Sequence, residues 1–348
     1  MLRTFKSKSA LIKLVHSSPG QALLIAAAAA AARFVVPDQI SALILLGINA
    51  IVVLGLVLFM GYAGQVSLGH AAFFGIGAYT AAITSTRYGW NPWLGIVAAM
   101  AASCITALII GKPSLRLRGH YLAMATLGFG EIVYALMNQL KPLTNGSDGI
   151  SGIPSLSLGS FAFDSKESFY YLVWLIVAFS MFFCVNMVRS RVGRALRSIH
   201  GSEIAAEAMG IDTSKYKIEV LALSAAFAGL AGALFSYYMS FISPESFTVT
   251  TSVVFVTMVV VGGMHSLWGG IVGAGALTLL EEYLRDYQEY SLLIYGALLT
   301  AIVIFAPNGL VGSLKTALSY ARGRYIAARS PKKSLEEESA VTRSEVSY

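Results

Sequence analysis

Long apolar stretches without a charged side chain alternate with short polar connections along most of this sequence. Such charge-free stretches include residues 39–86, 168–188, 220–244, 246–280 and 290–314. A bilayer has a hydrocarbon core about 30 Å thick, which requires roughly 20 apolar residues for each helical crossing. Each stretch is long enough for one or more crossings. The pattern therefore predicts an all-α polytopic membrane protein.

Polar interruptions divide the apolar runs into about ten predicted spans. Their ranges are 21–36, 39–60, 66–86, 93–111, 119–139, 168–188, 218–241, 250–263, 266–284 and 290–306. The range 250–263 is too short for an ordinary crossing. A re-entrant segment or half of a broken helix is the alternative there, and either one requires surrounding protein or a water-filled cavity.

Composition agrees with a membrane protein and excludes several other classes. Of the 348 residues, 12% are charged and 56% are hydrophobic, and the mean hydropathy is +0.68. Soluble domains carry roughly 25% charged residues. The two cysteines, Cys104 and Cys184, lie within apolar runs and lack Cys-x-x-Cys spacing. We therefore expect neither a disulfide scaffold nor a metal site.

Basic residues are concentrated on one side of the predicted spans. With a cytoplasmic N-terminus, 20 of the 25 Lys and Arg residues fall on the cytoplasmic side, as the positive-inside rule requires. This orientation gives a cytoplasmic arm at 1–20, a membrane domain at 21–312, and a cytoplasmic tail at 313–348 that we expect to be disordered. Within the domain, 189–217 is a cytoplasmic loop and 140–167 an external loop. Membrane orientation explains the net charge of +7, so no nucleic-acid partner is expected.

Two glycine-rich segments, residues 61–78 and 262–275, interrupt the apolar pattern. Paired interruptions are typical of transporters whose halves enclose the pathway, and they predict two Gly-interrupted halves here. The alternative is that the glycines only allow close helix packing. The candidate pathway residues are Gly64, Gln65, Ser67, Gly69, His70, Glu131, Gly262, Gly263 and His265.

Glu131 is included because it lies inside the predicted span 119–139. An ionisable side chain in a span is costly and by default indicates function. Glu131 is expected to neutralise a cation, to bind a substrate ammonium group, or to have a structural role as a paired or protonated carboxyl.

The basic loop 189–217 contains the signals of one short cytoplasmic helix. Ser202 is a typical N-cap, and Gly210 is a typical stop after an alanine-rich run. Glu203 and Glu207 lie four residues apart on one face, where both could address a basic groove on another protein. A helix this short is marginal alone in water. It must pack on a partner protein or on the membrane-facing surface of its own chain.

Four motifs in the sequence resemble those of known transporters. The pattern Glu203-x-x-Ala206-x-x-x-Gly210 resembles the coupling helix of ABC importer permeases, which docks into a groove on the ATPase subunit. Three further stretches resemble LivM-type permeases of branched-chain amino acid importers, and they are residues 61–70, 125–131 and 145–154. The likeness covers about residues 40–312.

The resemblance implies one permease subunit of an ABC importer in a bacterial plasma membrane. The implied partners are a LivH-type permease paralogue, two ATPase subunits, an extracytoplasmic amino-acid-binding protein and membrane lipid. Glu203, Ala206, Glu207 and Gly210 would couple the chain to the ATPase. The only Gly-Lys pair, Gly111-Lys112, lacks the glycines of a phosphate-binding loop. We therefore expect no enzyme activity and no cofactor in this chain, with ATP bound by the partners.

The external loop 140–167 contains a motif rich in glycine. Its candidate residues for docking the binding protein are Gly146, Asp148, Gly149 and Gly152. Long ordered loops are often functional. A gate above the pathway and an uninvolved connector are the alternatives.

The sequence leaves the solute open. Permeases for urea or short amides look much alike, and the partner permease could be a second copy of this chain. An ion-coupled secondary transporter is the alternative from another class, but it would need several ionisable residues near the midplane. A membrane enzyme would need clustered acids, bases or metal ligands, and the sequence contains no such cluster.

Overall fold

The computed structural model describes residues 19–25, 39–117, 119–158, 161–284 and 309–313, together with isolated positions between 293 and 300. Helices account for most of this part of the chain, and each strand has only two residues. The all-α class predicted from the sequence is confirmed.

The described residues between 40 and 283 contain a series of α-helices. They are α1 (Ile40–Leu56), α2 (His70–Thr86), α3 (Pro92–Ser114), α4 (His120–Gln139), α5 (Lys141–Thr144), α6 (Lys166–Arg189), α7 (Arg191–Gly201), α8 (Glu203–Ala208), α9 (Thr213–Met239), α10 (Val249–Gly262) and α11 (Leu267–Tyr283). The strands are β1 (Ile150–Ser151), β2 (Ser157–Leu158), β3 (Phe161–Ala162) and β4 (Phe241–Ile242). Helix α1 continues into a π-helical segment at Val57–Tyr62, and 3-10 turns form at Gly146–Asp148 and Pro244–Phe247.

Helix α9 packs against α1, α2 and α3 in the interior of the bundle. Its crossing with α2 depends on glycine. A Cβ atom at Gly77 of α2 would overlap the backbone of Gly229 in α9, and a Cβ atom at Gly232 would overlap the carbonyl oxygen of Phe74. Such close approach of backbones is typical of membrane helices, which cannot rely on apolar burial to associate.

Helices α10 and α11 form an antiparallel pair joined by a short turn. A Cβ atom at Gly262 would overlap the carbonyl oxygen of Gly269, and one at Gly273 would overlap the carbonyl oxygen of Met258. Helix α10 has only 14 residues, as its predicted range implied. Helix α11 then packs along α1.

The two ends of the bundle differ in charge. We call the end that carries α7, α8 and the start of α9 the basic end. The acidic end carries residues 140–167 and 240–248. There β1 pairs with β4 in antiparallel register, with Ile150 opposite Ile242. The predicted loop 140–167 is thus hydrogen-bonded through its backbone to the connection between α9 and α10.

Four helices of the described residues are long and apolar enough to cross a membrane. They are Ile40–Tyr62, Pro92–Ser114, Lys166–Arg189 and Thr213–Met239. Each coincides with a predicted span, so the chain is a polytopic membrane protein. The number ten stays a prediction, because 290–306 and most of 21–36 fall outside the described residues.

Two helix starts differ from the sequence-based prediction. Helix α2 begins at His70 rather than at 66, because residues 63–69 form an irregular break. Helix α9 begins at Thr213 rather than at 218. Its N-cap is Asp212, whose Oδ1 accepts a hydrogen bond from the backbone N–H of Lys215 at 3.0 Å. This cap lies outside the apolar run that defined the predicted boundary.

Candidate functional site

The short helix predicted in the basic loop is present as α8. The Oγ atom of Ser202 accepts a hydrogen bond from the backbone N–H of Ala205 at 3.2 Å, which caps the helix. Gly210 follows the helix with a φ of +80°, a conformation that glycine adopts at little cost. Ala206 is 3% exposed. The two end signals in the sequence therefore locate this helix correctly.

Both carboxylates of α8 bind groups of their own chain. The two oxygens of Glu203 each lie 3.2 Å from Nζ of Lys217, and Oε1 also accepts a hydrogen bond from Nε2 of Gln65 at 3.1 Å. Glu207 Oε1 accepts a hydrogen bond from Oγ1 of Thr213 at 2.7 Å. The sequence predicts that Glu203 and Glu207 face another protein. In the structure, their hydrogen-bond partners come from residues 63–69 and from the start of α9.

Apolar side chains form the exposed tip of α8. Ile204 is 72% exposed, and Met209, just after the helix, is 82% exposed. Burying such side chains against a partner is favourable because it removes apolar surface from water. The exposed tip, Ile204 and Met209, therefore has the character of a protein-binding surface.

The two glycine-rich segments meet beside α7 at the basic end. Nδ1 of His265 lies 3.4 Å from the carbonyl oxygen of Gly61. The ring of His265 also contacts the ring of His200 in α7, with centroids 5.4 Å apart. Gly64, at a φ of +69°, leaves no room for a side chain against His200. The predicted pathway residues Gly64, Gln65 and His265 thus come together next to α8.

The other predicted pathway residues of these segments lie in packed helix contacts. His70 has no exposed surface, and its Nδ1 and Nε2 lie 3.2 and 2.8 Å from the hydroxyls of Ser67 and Ser224. A Cβ atom at Gly69 would come within 2.6 Å of the carbonyl oxygen of Thr126. Gly262 packs on α11 as described, and the φ of the helix-ending Gly263 is +112°.

A cavity of about 1400 Å³ extends from the acidic end into the bundle. Polar and apolar side chains both line its wall, including Asn49, Thr278, Leu45, Phe74, Phe255 and Met258. Its lining includes none of the predicted pathway residues. Nδ2 of Asn49 donates to Oγ1 of Thr278 at 2.9 Å. Sequence reasoning missed this pair, although each is a polar side chain well inside a predicted span.

Residues 40–304 match the protein family described as "Branched-chain amino acid transport system / permease component". This chain belongs to that family. Two relatives, the high-affinity branched-chain amino acid transport system permease proteins LivM of Salmonella typhimurium and Escherichia coli, are each 36% identical over 78% of this permease and 69% of their own length. A probable LivM permease of Methanocaldococcus jannaschii is 25% identical over 79% of this chain and 93% of its own. No solved structure matches the chain.

These comparisons confirm the resemblance that the motifs indicated. The chain is a multi-pass transport permease, and its relatives are transport proteins rather than enzymes. In the part of the permease that the structure describes, no three His, Cys, Asp or Glu side chains are grouped as metal ligands.

The glycine-rich motif of the permease forms tight turns at the acidic end. Gly146, Gly149 and Gly152 have φ values of +62°, +70° and +72°, which favour glycine. A Cβ atom at Gly149 would also overlap the carbonyl oxygen of Ile242 in β4. Asp148 is exposed in the 3-10 turn. The motif therefore shapes an ordered surface, and its docking role stays a prediction.

Glu131 of the permease is exposed near the middle of α4, next to the exposed Ile132. A carboxylate is unfavourable in lipid, so this face must meet protein or a water-filled path. We expect Glu131→Gln to leave the amount of assembled permease unchanged and to lower ATP-dependent uptake severalfold. Glu219→Gln, at an exposed carboxylate in α9, is the control. Unchanged uptake by Glu131→Gln would show that the charge is dispensable.

Proposed function

We propose that this permease is the membrane-spanning subunit of a binding-protein-dependent ABC importer for branched-chain or similar small amino acids. The observation that carries the proposal is the arrangement of α8. Its carboxylates are hydrogen-bonded within the chain, that of Glu207 at an exposed position, and the exposed tip of Ile204 and Met209 is apolar. In a permease of this family, that tip is the natural contact for an ATPase groove, which would then be apolar at its centre.

The proposed machine contains more chains than this one. The resemblance to LivM-type permeases supports a LivH-type paralogue, two ATPases and an extracytoplasmic amino-acid-binding protein as partners. The acidic end, with its ordered turns at Gly146, Gly149 and Gly152, is the proposed docking surface for the binding protein. The cavity that opens at this end is the proposed entrance to the pathway, because its wall offers both polar and apolar contacts to an amino acid.

A reconstituted complex tests this function. We expect proteoliposomes that contain the two permeases and the ATPases to accumulate labelled leucine only with ATP and the binding protein present. Labelled urea and acetamide should not be accumulated under the same conditions. Uptake by this chain alone, driven by an ion gradient without ATP, would overturn the proposal. ATP-dependent transport of urea instead of leucine would support an ABC importer and would show that the proposed solute is wrong.

The proposed location is the bacterial inner membrane, with both termini in the cytoplasm. The distribution of basic residues supports this orientation. In a variant without Cys104 and Cys184, we expect Ser147→Cys to react with a membrane-impermeant thiol reagent added outside intact cells. Ser198→Cys in α7 is the matched control and should react only after permeabilisation; both positions are exposed. If a cysteine at position 147 were labelled only from inside the cell, the permease would have the opposite orientation to the one proposed.

A further inference from the structure

Three polar side chains at the basic end form a link between separate parts of the fold. Glu203 of α8 binds Lys217 of α9 through both carboxylate oxygens at 3.2 Å, and its Oε1 accepts from Nε2 of Gln65 at 3.1 Å. Gln65 and Lys217 are 8% and 4% exposed, and the Glu203 side chain is 18% exposed. The three groups are therefore largely withdrawn from water.

This environment makes Glu203 a poor contact for another protein. Its charge is already compensated by Lys217. If Glu203 turned outwards, Lys217 would remain buried with an uncompensated charge. Separating the partners of a largely desolvated ion pair is strongly unfavourable. The link is thus expected to persist while α8 moves, and α8 should carry its two partners with it.

Gln65 connects this link to the first glycine-rich segment. It lies in the irregular break 63–69, between the π-helical end of α1 and the start of α2. Its backbone N–H donates to the carbonyl of Phe59 at 3.2 Å, and its Nε2 also donates to the carbonyl of Ala63 at 3.2 Å. A displacement of α8 therefore acts directly on the chain segment that joins two bundle helices.

The neighbouring contact of α7 reaches the second glycine-rich segment. His200, three residues before Glu203, lies against Gly64 and contacts the ring of His265. His265 in turn lies 3.4 Å from the carbonyl oxygen of Gly61. The junction between α7 and α8 is thus in contact with both irregular breaks in the bundle.

We infer that Glu203 is a positioning residue that transmits the motion of α8 to the break 63–69 through Gln65 and to α9 through Lys217. Binding of the ATPase then falls to the exposed tip, Ile204 and Met209. This inference rests on the proposed function as an ATP-driven importer. It separates two roles within a helix of six residues, one facing inwards and one facing outwards.

The test compares variants of the inward link with variants of the exposed tip in the reconstituted complex. Gln65→Met removes the branch to the break 63–69 and keeps the ion pair, whereas Glu203→Gln with Lys217→Met removes the branch to α9. Neither variant leaves an uncompensated buried charge. Ile204→Ser and Met209→Ser remove the apolar tip. Each complex is measured for ATPase binding by titrated pull-down and for the number of ATP molecules hydrolysed per leucine transported. Size-exclusion chromatography in detergent selects the variants that fold.

For the link variants we expect wild-type ATPase affinity and at least a tenfold rise in ATP hydrolysed per leucine. The exchanged pair Glu203→Lys with Lys217→Glu should recover most of the coupling, since the amide of Gln65 can present its oxygen to the new lysine. The tip variants should weaken ATPase binding at least tenfold.

Two results would overturn the inference. One is a loss of ATPase affinity in Gln65→Met or in the neutral pair, because the link would then be needed for binding the ATPase and not only for transmitting its motion. The other is an unchanged ratio of ATP to leucine in folded link variants. Failure of the proposed function is recognised separately, because the wild-type complex would then show no ATP-dependent uptake.

Discussion

Replacing Gly77 by valine is expected to prevent the permease from folding. A Cβ atom at this position would overlap the backbone of Gly229, and backbone atoms cannot move aside as a flexible side chain can. Gly229 has no room to retreat, because a Cβ atom there would itself meet the carbonyl oxygen of Ala99 at 2.7 Å. Overpacking of cores typically costs 1–3 kcal/mol, and we expect more than about 3 kcal/mol here.

The measurement is the yield of monodisperse permease after solubilisation, together with its thermal unfolding temperature. Gly128→Val in α4 is a matched control, because a Cβ atom at Gly128 would meet no atom of the described residues within 4 Å. The control should keep a near wild-type yield. A normal yield of Gly77→Val would mean that α2 and α9 do not cross as closely as described.

Changes within α8 are expected to abolish transport without affecting insertion. Ala206 is buried in the contact of α8 with its own protein, so Ala206→Trp should displace the helix. Gly210→Val should distort the end of α8, because a β-branched residue at a φ of +80° is strained. We expect leucine uptake below one tenth of the wild-type rate for both variants, with wild-type amounts of permease in the membrane.

Two conservative variants show whether the loss of transport comes from steric bulk and backbone strain or from any substitution at these positions. Ala206→Ser adds one atom, and Gly210→Asn introduces the residue that best tolerates a left-handed conformation after glycine. Both should transport at more than half the wild-type rate. Wild-type uptake by Ala206→Trp and Gly210→Val would show that transport does not require the observed position of α8.

Local signals in the sequence are enough to predict much of this fold. Helices α1, α3, α6 and α9, which are long enough to span a membrane, follow from the apolar runs, and α8 follows from Ser202 and Gly210. Helix α7 was missed, although its buried positions Leu196 and Ile199 follow the spacing of an amphipathic helix. The signal was present but was read as part of a basic loop.

The contacts of the candidate site could not be predicted in the same way. Gln65 and Glu203 are 138 residues apart in the sequence, and Asn49 and Thr278 are 229 apart. Their pairing depends on how the helices pack, which no local pattern encodes. The glycines of the two segments also differ in their local surroundings. Gly262 packs backbone to backbone on Gly269, whereas Gly64 has a left-handed φ beside His200.

The pairing of β1 with β4 can form only late in the synthesis of the protein. β1 leaves the ribosome before α6 and α9 have been made, whereas β4 follows both. Residues 140–167 therefore lack their strand partner until α9 and β4 have been synthesised. During that interval the side chain of Ile150, which is buried in the folded protein, is not yet packed against β4. Nascent chains arrested before Phe241 should consequently be cut in this loop by added protease, and full-length chains should resist.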